Sequence, residues 1–179
     1  MGEAGEIIIE TNRLYIRKLL LDDVEQLFKY SQEEVTRREL PDEVYENMEN
    51  AKETIGYFIS NYESENPLTG KKGIGTCYGI ILKTTEIIIG HIGLINIKRG
   101  VEIEYAIGTN YQNNGYATEV INPFMEWAKK EFSIDKIYGI VKQENAASWK
   151  VLEKNGFKLE EEGLHDSFGG KHYIKIYAK

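Results

Sequence analysis

Hydrophobic and polar positions alternate most clearly just past the middle of the chain, between residues 101 and 107. The apolar set is Val101, Ile103, Tyr105 and Ile107, and the intervening set is Glu102, Glu104 and Ala106. A period of two predicts a β-strand with one buried face. After Gly115 the spacing becomes helical, with an apolar stripe made by Ala117, Val120, Ile121, Phe124 and Ala128. This stretch therefore predicts a strand, a short polar turn and a helix.

The same patterns predict the elements on either side of this stretch. Residues 1–6 are expected to be frayed, and residues 7–179 to form one domain. Strands are predicted at 7–19, 76–82, 87–97, 136–141, 157–161 and 171–177, and helices after Asp22 or Asp23, at 51–62 and at 145–154. The order β-α-α-β-β-β-α-β-α-β-β predicts a mixed α/β (α+β) fold with a largely antiparallel sheet. Two strands joined through the central helix should run parallel, by a right-handed crossover.

Two polar segments interrupt this order. Residues Ser31 to Asn50 are acid-rich and broken by Pro41. A solvated connector is the favoured interpretation, and a flap facing the substrate is the alternative, because loops on a rigid scaffold often carry specificity. Glu63 to Gly75 contains Pro67 and several glycines, which makes it the longest loop signal.

The polar turn is a candidate phosphate site. Where a turn opens into a helix, several backbone N–H groups have no intrahelical partner and point at one spot. Gly115 has no Cβ to collide with a ligand there, and Ala117 leaves the next position nearly as open. The turn is not a P-loop, since no Gly-Lys-Ser/Thr follows it, and it lacks the three glycines of a dinucleotide fingerprint.

Composition narrows the class of protein. A net charge of −7 over 179 residues argues against nucleic-acid binding and favours cationic small partners or basic peptides. One cysteine, Cys77, allows no disulfide within the chain and fits a reducing cytoplasm. The sequence shows no signal peptide and no stretch long enough to span a membrane. His91, His165 and His172 lack metal-ligand spacing, so no metal is expected, and His91 is interpreted as a packing residue.

The turn resembles the Q/R-x-x-G-x-G/A turn of the GNAT superfamily of N-acetyltransferases, with Gln112, Gly115 and Ala117 at the defining positions. The opening "TNRLYIRKLLLDD" is similar to that of the GNAT branch that acetylates the N-termini of ribosomal proteins. The resemblance implies acetyl-CoA as cosubstrate, with its pyrophosphate at the turn. The expected contact residues are Ile107, Gln112, Asn113, Asn114, Gly115, Tyr116, Ala117, Thr118, Asn145 and Ser148.

A second element, Asn145 to Phe157, is similar to the family's N-x-x-[SA]-x-x-[VL]-[LY]-x-K-x-GF pattern. In many GNAT enzymes a tyrosine seven residues after the asparagine protonates the leaving thiolate, but this chain has Leu152 there. The resemblance to the ribosomal-protein branch implies that Ser148 takes that role and that Asn145 contacts the pantetheine arm. Without the resemblance, Asn145 is a helix N-cap and Ser148 a surface serine.

Glu102 and Glu104 are the candidate general bases, because an ammonium with a pKa of about 10.4 must lose a proton before it attacks. Glu102 matches the family's E-[IL]-G-Y pattern, whereas Glu104 stands where glycine is common. The two could instead bind a cationic substrate or form a solvated strand face. The expected acceptor is a primary amine, either a small molecule or a protein N-terminus. A homodimer remains open, and a non-catalytic acyl-CoA-binding module is the alternative function because Leu152 replaces the tyrosine.

Overall fold

The structure is a computed structural model and describes residues 5–64 and 75–179. Its strands are β1 Ile7–Glu10, β2 Leu14–Lys18, β3 Thr76–Leu82, β4 Ile87–Ile97, β5 Gly100–Ile107, β6 Ile137–Lys142, β7 Lys158–Ser167 and β8 Gly170–Ala178. Its helices are α1 Val24–Ser31, α2 Glu34–Glu39, α3 Met48–Asn61, α4 Tyr116–Phe132 and α5 Ala146–Lys154. Short 3₁₀ turns occupy Leu21–Asp23, Pro41–Glu43 and Thr109–Tyr111.

Within the described residues, the strands form one eight-stranded sheet in the order β1-β2-β3-β4-β5-β6-β8-β7. Every neighbouring pair is antiparallel except β5 and β6, which run parallel and are joined through α4. The mixed, mostly antiparallel sheet flanked by helices is thus confirmed. The two parallel strands are also the ones predicted from the sequence, the strands that precede and follow the central helix in the chain.

The pairing of β5 with β6 is short, and this creates an opening in the sheet. Val101 faces Ile137 and Glu102 faces Tyr138, and the two strands separate beyond these pairs. β5 continues to Ile107 along β4, while β6 continues to Lys142 along β8. The second halves of β5 and β6 therefore border a gap that widens toward their carboxyl ends.

Helices cover both faces of the sheet. On one face, α4 and α5 bury residues such as Phe124 and Leu152 against the apolar side of the central strands. On the other face, α1 and α3 bury Leu27 and Ile55 against Ile81 and its neighbours. Side chains alternate between the two faces along β5, so its apolar set points to the first face and Glu102 and Glu104 point to the second.

The amino-terminal region differs from the prediction. The single strand expected over residues 7–19 is two antiparallel strands, because the chain turns between β1 and β2. Thr11 closes this turn by donating its backbone N–H to the Leu14 carbonyl at 2.8 Å. The expected frayed segment was 1–6. Residues 1–4 lie outside the described part of the chain, but the Glu6 carbonyl accepts a hydrogen bond from the Lys18 N–H at 3.0 Å.

The polar segment 31–50 is more structured than a solvated connector. It contains α2 and the 3₁₀ turn Pro41–Glu43, and Thr36 on α2 is buried. The Thr36 hydroxyl donates to the Tyr30 carbonyl at 2.8 Å, and Asn47 caps α3 by accepting from the Asn50 N–H at 2.9 Å. These contacts fix the segment against α1 and α3, so the connector interpretation was wrong.

The last two strands are longer than predicted. β7 runs through Glu160 to Glu162, which are strand residues, and Lys136 lies 2.7 Å from Glu160 in an ion pair. Most of the predicted loop 63–75 lies outside the described residues. In the parts of the chain that the structure describes, no helix is long and apolar enough to cross a membrane.

Candidate active site

A cleft of about 720 Å³ occupies the opening between β5 and β6. This volume falls within the range of small-molecule sites. Its walls come from the second halves of β5 and β6, the turn before α4, the first turn of α4, the exposed side of α5, α2 and the 3₁₀ turn Pro41–Glu43. The segment 31–50 therefore borders the cleft, which agrees with the alternative interpretation of this segment as a flap that faces the substrate.

The turn before α4 has the backbone of an anion site. Asn113 and Gly115 both adopt positive φ, 62° and 78°, and α4 begins at the next residue, Tyr116. The first N–H groups of α4 then face the cleft without intrahelical partners, at the positive end of the helix dipole. A Cβ on Gly115 would meet only Nη2 of Arg13, at 3.7 Å. Within the protein the space is therefore open, and it is the positive φ that favours glycine there.

Two of the predicted contact residues use their side chains to hold the turn itself. Gln112 donates from Nε2 to the Ile107 carbonyl at 2.8 Å, which ties the turn to the end of β5. Asn114 donates from Nδ2 to the Tyr111 and Gln112 carbonyls at 3.1 and 2.9 Å. Asn114 does not line the cleft, whereas the other predicted contact residues do.

Arg13 stands beside this turn; it belongs to the opening motif but was not predicted as a site residue. Its guanidinium lies 4.6 Å from the ring centroid of Tyr116 and forms a 2.7 Å ion pair with Glu119 on α4. A cation is thereby held next to the N-terminus of α4. Because the Glu119 carboxylate compensates its charge, the pair places guanidinium donors beside the helix end without adding a net charge there.

The start of α5 brings Ser148 against β5. Asn145 caps the helix by accepting from the Ser148 N–H at 3.1 Å, as predicted from the sequence. The Ser148 Oγ lies 2.9 Å from the Tyr105 Oη, and Tyr105 also donates to the Ser148 carbonyl at 3.1 Å. Burial raises the pKa of Tyr105 to about 12, so its phenol stays protonated at neutral pH. Tyr105 belongs to the apolar set of the strand pattern, which is why it was missed.

Leu152, which replaces the tyrosine common in the family, is a core residue. It is 1% exposed, and a Cβ added to Gly139 on β6 would lie 2.7 Å from its Cδ1. No hydroxyl can come from this position. Ser148 lies one turn earlier on the same helix, and with Tyr105 of β5 it brings two hydroxyl groups to the border of the cleft.

Glu102 and Glu104 border the cleft from the opposite face of the sheet. Glu102 accepts from the Ile140 N–H at 3.2 Å, at the point where β5 and β6 part. Burial raises its pKa to about 7, aided by the charge of Glu104 and opposed by the Ile140 hydrogen bond. Burial and the charge of Glu43 likewise raise the pKa of Glu104, against the influence of His91. A solvated strand face is therefore the wrong description of these two side chains.

His91 is not the packing residue that its apolar strand suggested. Its Nε2 lies 2.9 Å from the Glu43 Oε2 on the 3₁₀ turn after α2. Burial disfavours the imidazolium, but the Glu43 carboxylate outweighs this and raises the pKa of His91. The pair links β4 to the segment that covers the glutamates.

The backbone of β5 also offers donors to the opening. The Gly108 N–H bonds to the Ile89 carbonyl on β4 at 2.9 Å. Since N–H directions alternate along a strand, the N–H groups of Tyr105 and Ile107 point the other way, toward the gap. Either is placed to polarise a carbonyl bound between the strands.

The arrangement thus separates two sets of groups. The anion site, Ser148 and Tyr105 lie with α4 and α5 on one face, and Glu102 and Glu104 lie on the other. The opening joins the two faces, so a group bound on one side can reach a group bound on the other.

Comparison with known proteins identifies the family. Residues 13–158 match the acetyltransferase (GNAT) domain. Over 157 residues the chain is 34% identical to the uncharacterized N-acetyltransferase YoaA of Bacillus subtilis, covering 86% of this chain and 84% of that protein. The fold is similar to a GNAT-family acetyltransferase from Bacillus anthracis, with a TM-score of 0.78, 22% identity and coverage of 97% and 98%. It is also similar to the ribosomal L7/L12 α-N-protein acetyltransferase in complex with coenzyme A, with a TM-score of 0.77, 20% identity and coverage of 97% of each chain. The chain belongs to the GNAT family and is an acetyl-CoA-dependent N-acetyltransferase.

Proposed function

We propose that this enzyme transfers the acetyl group of acetyl-CoA directly to a primary amine that enters from the face of Glu102 and Glu104. The observation that carries the proposal is the opening between β5 and β6, which has an anion site and two hydroxyls on one side and two carboxyls on the other. No residue acts as a covalent nucleophile in this scheme.

The residues present fit acetyl-CoA. The N–H groups from Gly115 to Thr118 would hold the pyrophosphate, with the Arg13 guanidinium alongside. Asn145 uses Oδ1 as the cap of α5, and its Nδ2 remains to donate to an amide of the pantetheine arm. Bound acetyl-CoA supplies the thioester, and the N–H groups of Tyr105 and Ile107 would polarise its carbonyl.

Glu102 and Glu104 would remove the proton from the acceptor. A carboxylate whose pKa is raised to about 7 is a stronger base than an ordinary glutamate and still is largely ionised slightly above neutrality. Glu102 is fixed by the Ile140 N–H, whereas Glu104 lies near Glu43 and His91. We assign the base role to Glu102 first, because it stands closest to the point where the strands part.

Ser148 would donate its hydroxyl proton to the departing thiolate and take up a proton from water in the cleft at the same time, so that no alkoxide is left. The Tyr105 Oη can donate either to the Ser148 carbonyl or to its Oγ. When Tyr105 donates to Oγ, the Ser148 hydrogen is directed away from Tyr105 and toward the sulfur; when Tyr105 donates to the carbonyl, the Ser148 hydroxyl can donate to the Tyr105 oxygen instead. Tyr105 is therefore a positioning residue that sets the direction of the Ser148 O–H bond.

The acceptor is a protein N-terminus or a small-molecule amine. The opening sequence and the serine at position 148 support membership of the ribosomal-protein branch, as does the structural similarity to the L7/L12 enzyme. One observation favours a second candidate, a non-catalytic acyl-CoA-binding module: the buried Leu152 at the usual tyrosine position.

Thiol release from acetyl-CoA, measured with a panel of amines and confirmed by mass spectrometry of the acetylated product, tests this proposal. We expect amine-dependent release that exceeds hydrolysis. Tight CoA binding without release for any amine, including N-terminal peptides, would instead establish the binding module.

A further inference from the structure

The acceptor side of the cleft carries apolar side chains that the fold leaves uncovered. Six partly exposed residues border the cleft and are here called the apolar patch: Val35, Leu40, Ile95, Ile97, Ile140 and Phe168. None of the six belongs to, or packs against, either of the two clusters of buried apolar side chains within the described residues. Uncovered apolar surface in a concave site is typical of a ligand-binding groove. The patch therefore indicates which chemistry the acceptor brings into the cleft.

Ile95 and Ile140 stand on either side of Glu102. Ile95 is the β4 residue that pairs with Glu102, and the side chains of such a pair lie on the same face of the sheet. The Ile140 N–H donates to the Glu102 Oε1 at 3.2 Å from β6. Since Ile137 and Val141 are buried with the helices of the first face, the Ile140 side chain points to the second. The proposed base thus has an apolar residue on each side, and burial is what raises its pKa to about 7.

Val35 and Leu40 extend the patch to the segment that covers this face. Lys142 lies two residues beyond Ile140 on β6 and therefore on the same face. Its Nζ donates to the Arg38 carbonyl, which ties α2 to this side of the sheet. The apolar patch therefore has members on two walls, the strands on one side and the α2 segment on the other.

The charged side chains of the cleft leave the patch free for the acceptor. Besides the two candidate bases, three are exposed to water: Asp42, Lys150 and Lys154. The other three have partners within the chain: Glu39 with Arg38 at 2.6 Å, Glu43 with His91 at 2.9 Å, and Lys142 with the Arg38 carbonyl. A charge on the body of the acceptor would have to displace water or one of these partners. An apolar body displaces only water that lies against apolar surface, which is favourable.

We propose that the apolar patch binds the carbon skeleton of the acceptor, so that the substrate is a primary amine attached to an apolar group. The amine lies at Glu102, and the group next to it covers Ile95, Ile140 and the α2 side of the patch. This inference rests on the proposed amine acetylation and names the class of amine. Two kinds of molecule share this chemistry: a free alkyl- or arylalkylamine, and a peptide whose N-terminal residue has an apolar side chain.

The wild-type enzyme is assayed for kcat/KM with two pairs of acceptors of nearly equal size. Pentylamine is compared with 4-aminobutan-1-ol, which has a hydroxyl in place of the terminal methyl, and a Leu-Gly-Gly peptide with Asn-Gly-Gly. We expect the apolar member to be preferred by about 10- to 100-fold in at least one pair, because apolar burial is gained and no polar group is desolvated. The pair that shows the preference identifies the source of the amine. From propylamine to pentylamine, each added methylene should raise kcat/KM by about threefold to fourfold.

Leu40→Asn and Ile95→Thr place polar groups in the patch. Each should lower the preference by about 3- to 10-fold, and the double variant should bring it to within about threefold. Ile87→Thr is the matched control, because Ile87 lies on the same strand, outside the cleft and 42% exposed. This control should keep the wild-type preference. Both patch residues lie outside the buried clusters, so the variants should fold, and CoA binding verifies this.

Equal kcat/KM within both pairs would overturn the apolar subsite while leaving amine acetylation intact. A preference for 1,4-diaminobutane over pentylamine, or a preference that survives the double variant, would overturn it as well. The series of alkylamines needs no variant, so it tests the patch even where a substitution impairs folding. Absence of acetylation with every amine and peptide would overturn the proposed function instead.

Discussion

Removing the Ser148 hydroxyl tests the chemistry with little disturbance of the fold. In Ser148→Ala the Tyr105 phenol still donates to the residue-148 carbonyl, 3.1 Å away, and Asn145 still accepts from the backbone N–H at 3.1 Å. No buried donor is left unpaired. The free energy of unfolding should therefore fall by about 1 kcal/mol or less, the net value of one hydrogen bond.

The effect on catalysis should be much larger. A hydrogen bond to sulfur forms only as negative charge develops, so its loss lowers turnover and leaves ground-state binding alone. We expect turnover to fall by roughly 10- to 1000-fold, between the loss of one transition-state donor and the loss of a general acid. The dissociation constant of CoA, measured by calorimetry, should hardly change.

Tyr105→Phe separates positioning from direct participation. If the phenol acts only by orienting the Ser148 O–H bond, Tyr105→Phe should lower kcat by about 10-fold with KM unchanged. The double variant should then be no slower than Ser148→Ala, because the group being oriented is already absent. Multiplicative losses would show that Tyr105 acts independently of Ser148.

Full turnover in Ser148→Ala, with the chemical step shown to be rate-limiting by single-turnover measurements, would refute the assignment. The thiolate would then receive its proton from another donor, with Tyr105 itself the nearest phenol. Ser148 would be left as a residue of the helix surface.

Two further predictions address the anion site and the base. Gly115→Val should abolish most of the stabilisation that CoA binding gives the wild type, which is about 2.7 kcal/mol when CoA is 100-fold above its dissociation constant. Gly169→Val is the control for backbone strain, because Gly169 has a φ of 74° and open space around it. This control variant should bind CoA normally. Equal CoA binding by both folded variants would remove the turn from the site. Glu102 has a folded pKa of about 7 against an ordinary 4.5, so its burial destabilises the wild type progressively as pH rises through this window. In thermal melts, Glu102→Gln should no longer show this loss of stability with rising pH. The variant should also lack the rise of kcat/KM near pH 7. An unchanged pH profile of kcat/KM would exclude Glu102 as the base.

The sequence predicts best those elements whose pattern is local. The bounds of β3, β4 and β5 and the start of α4 agree with the prediction to within a residue or two, because each element has a long apolar set. The Thr11 turn between β1 and β2 was missed, since it contains neither glycine nor proline and is closed by hydrogen bonds to Leu14. The six-residue α2 was missed because its stability comes from contacts such as Thr36 to Tyr30 rather than from its own polar sequence.

The same division holds for the candidate site. The turn around Gly115 and the Asn145 cap are each encoded within a few residues, so spacing alone indicated them. The hydroxyl pair joins residues 43 positions apart, and the Glu43–His91 contact joins two elements with no shared motif. Only the tertiary fold brings such partners together. From the sequence, Tyr105 was therefore interpreted as a core residue and Glu43 as part of a connector.

The opening in the sheet has a consequence for how this enzyme can change over evolution. Apart from Arg13, the groups assigned to the acetyl donor come from residues 105–118 and 145–148, whereas much of the acceptor wall comes from residues 34–43. Mutations in the latter segment can alter which amine is accepted without touching the groups that hold the donor. Binding of the constant donor and selection of the variable acceptor thus depend on different segments of the chain.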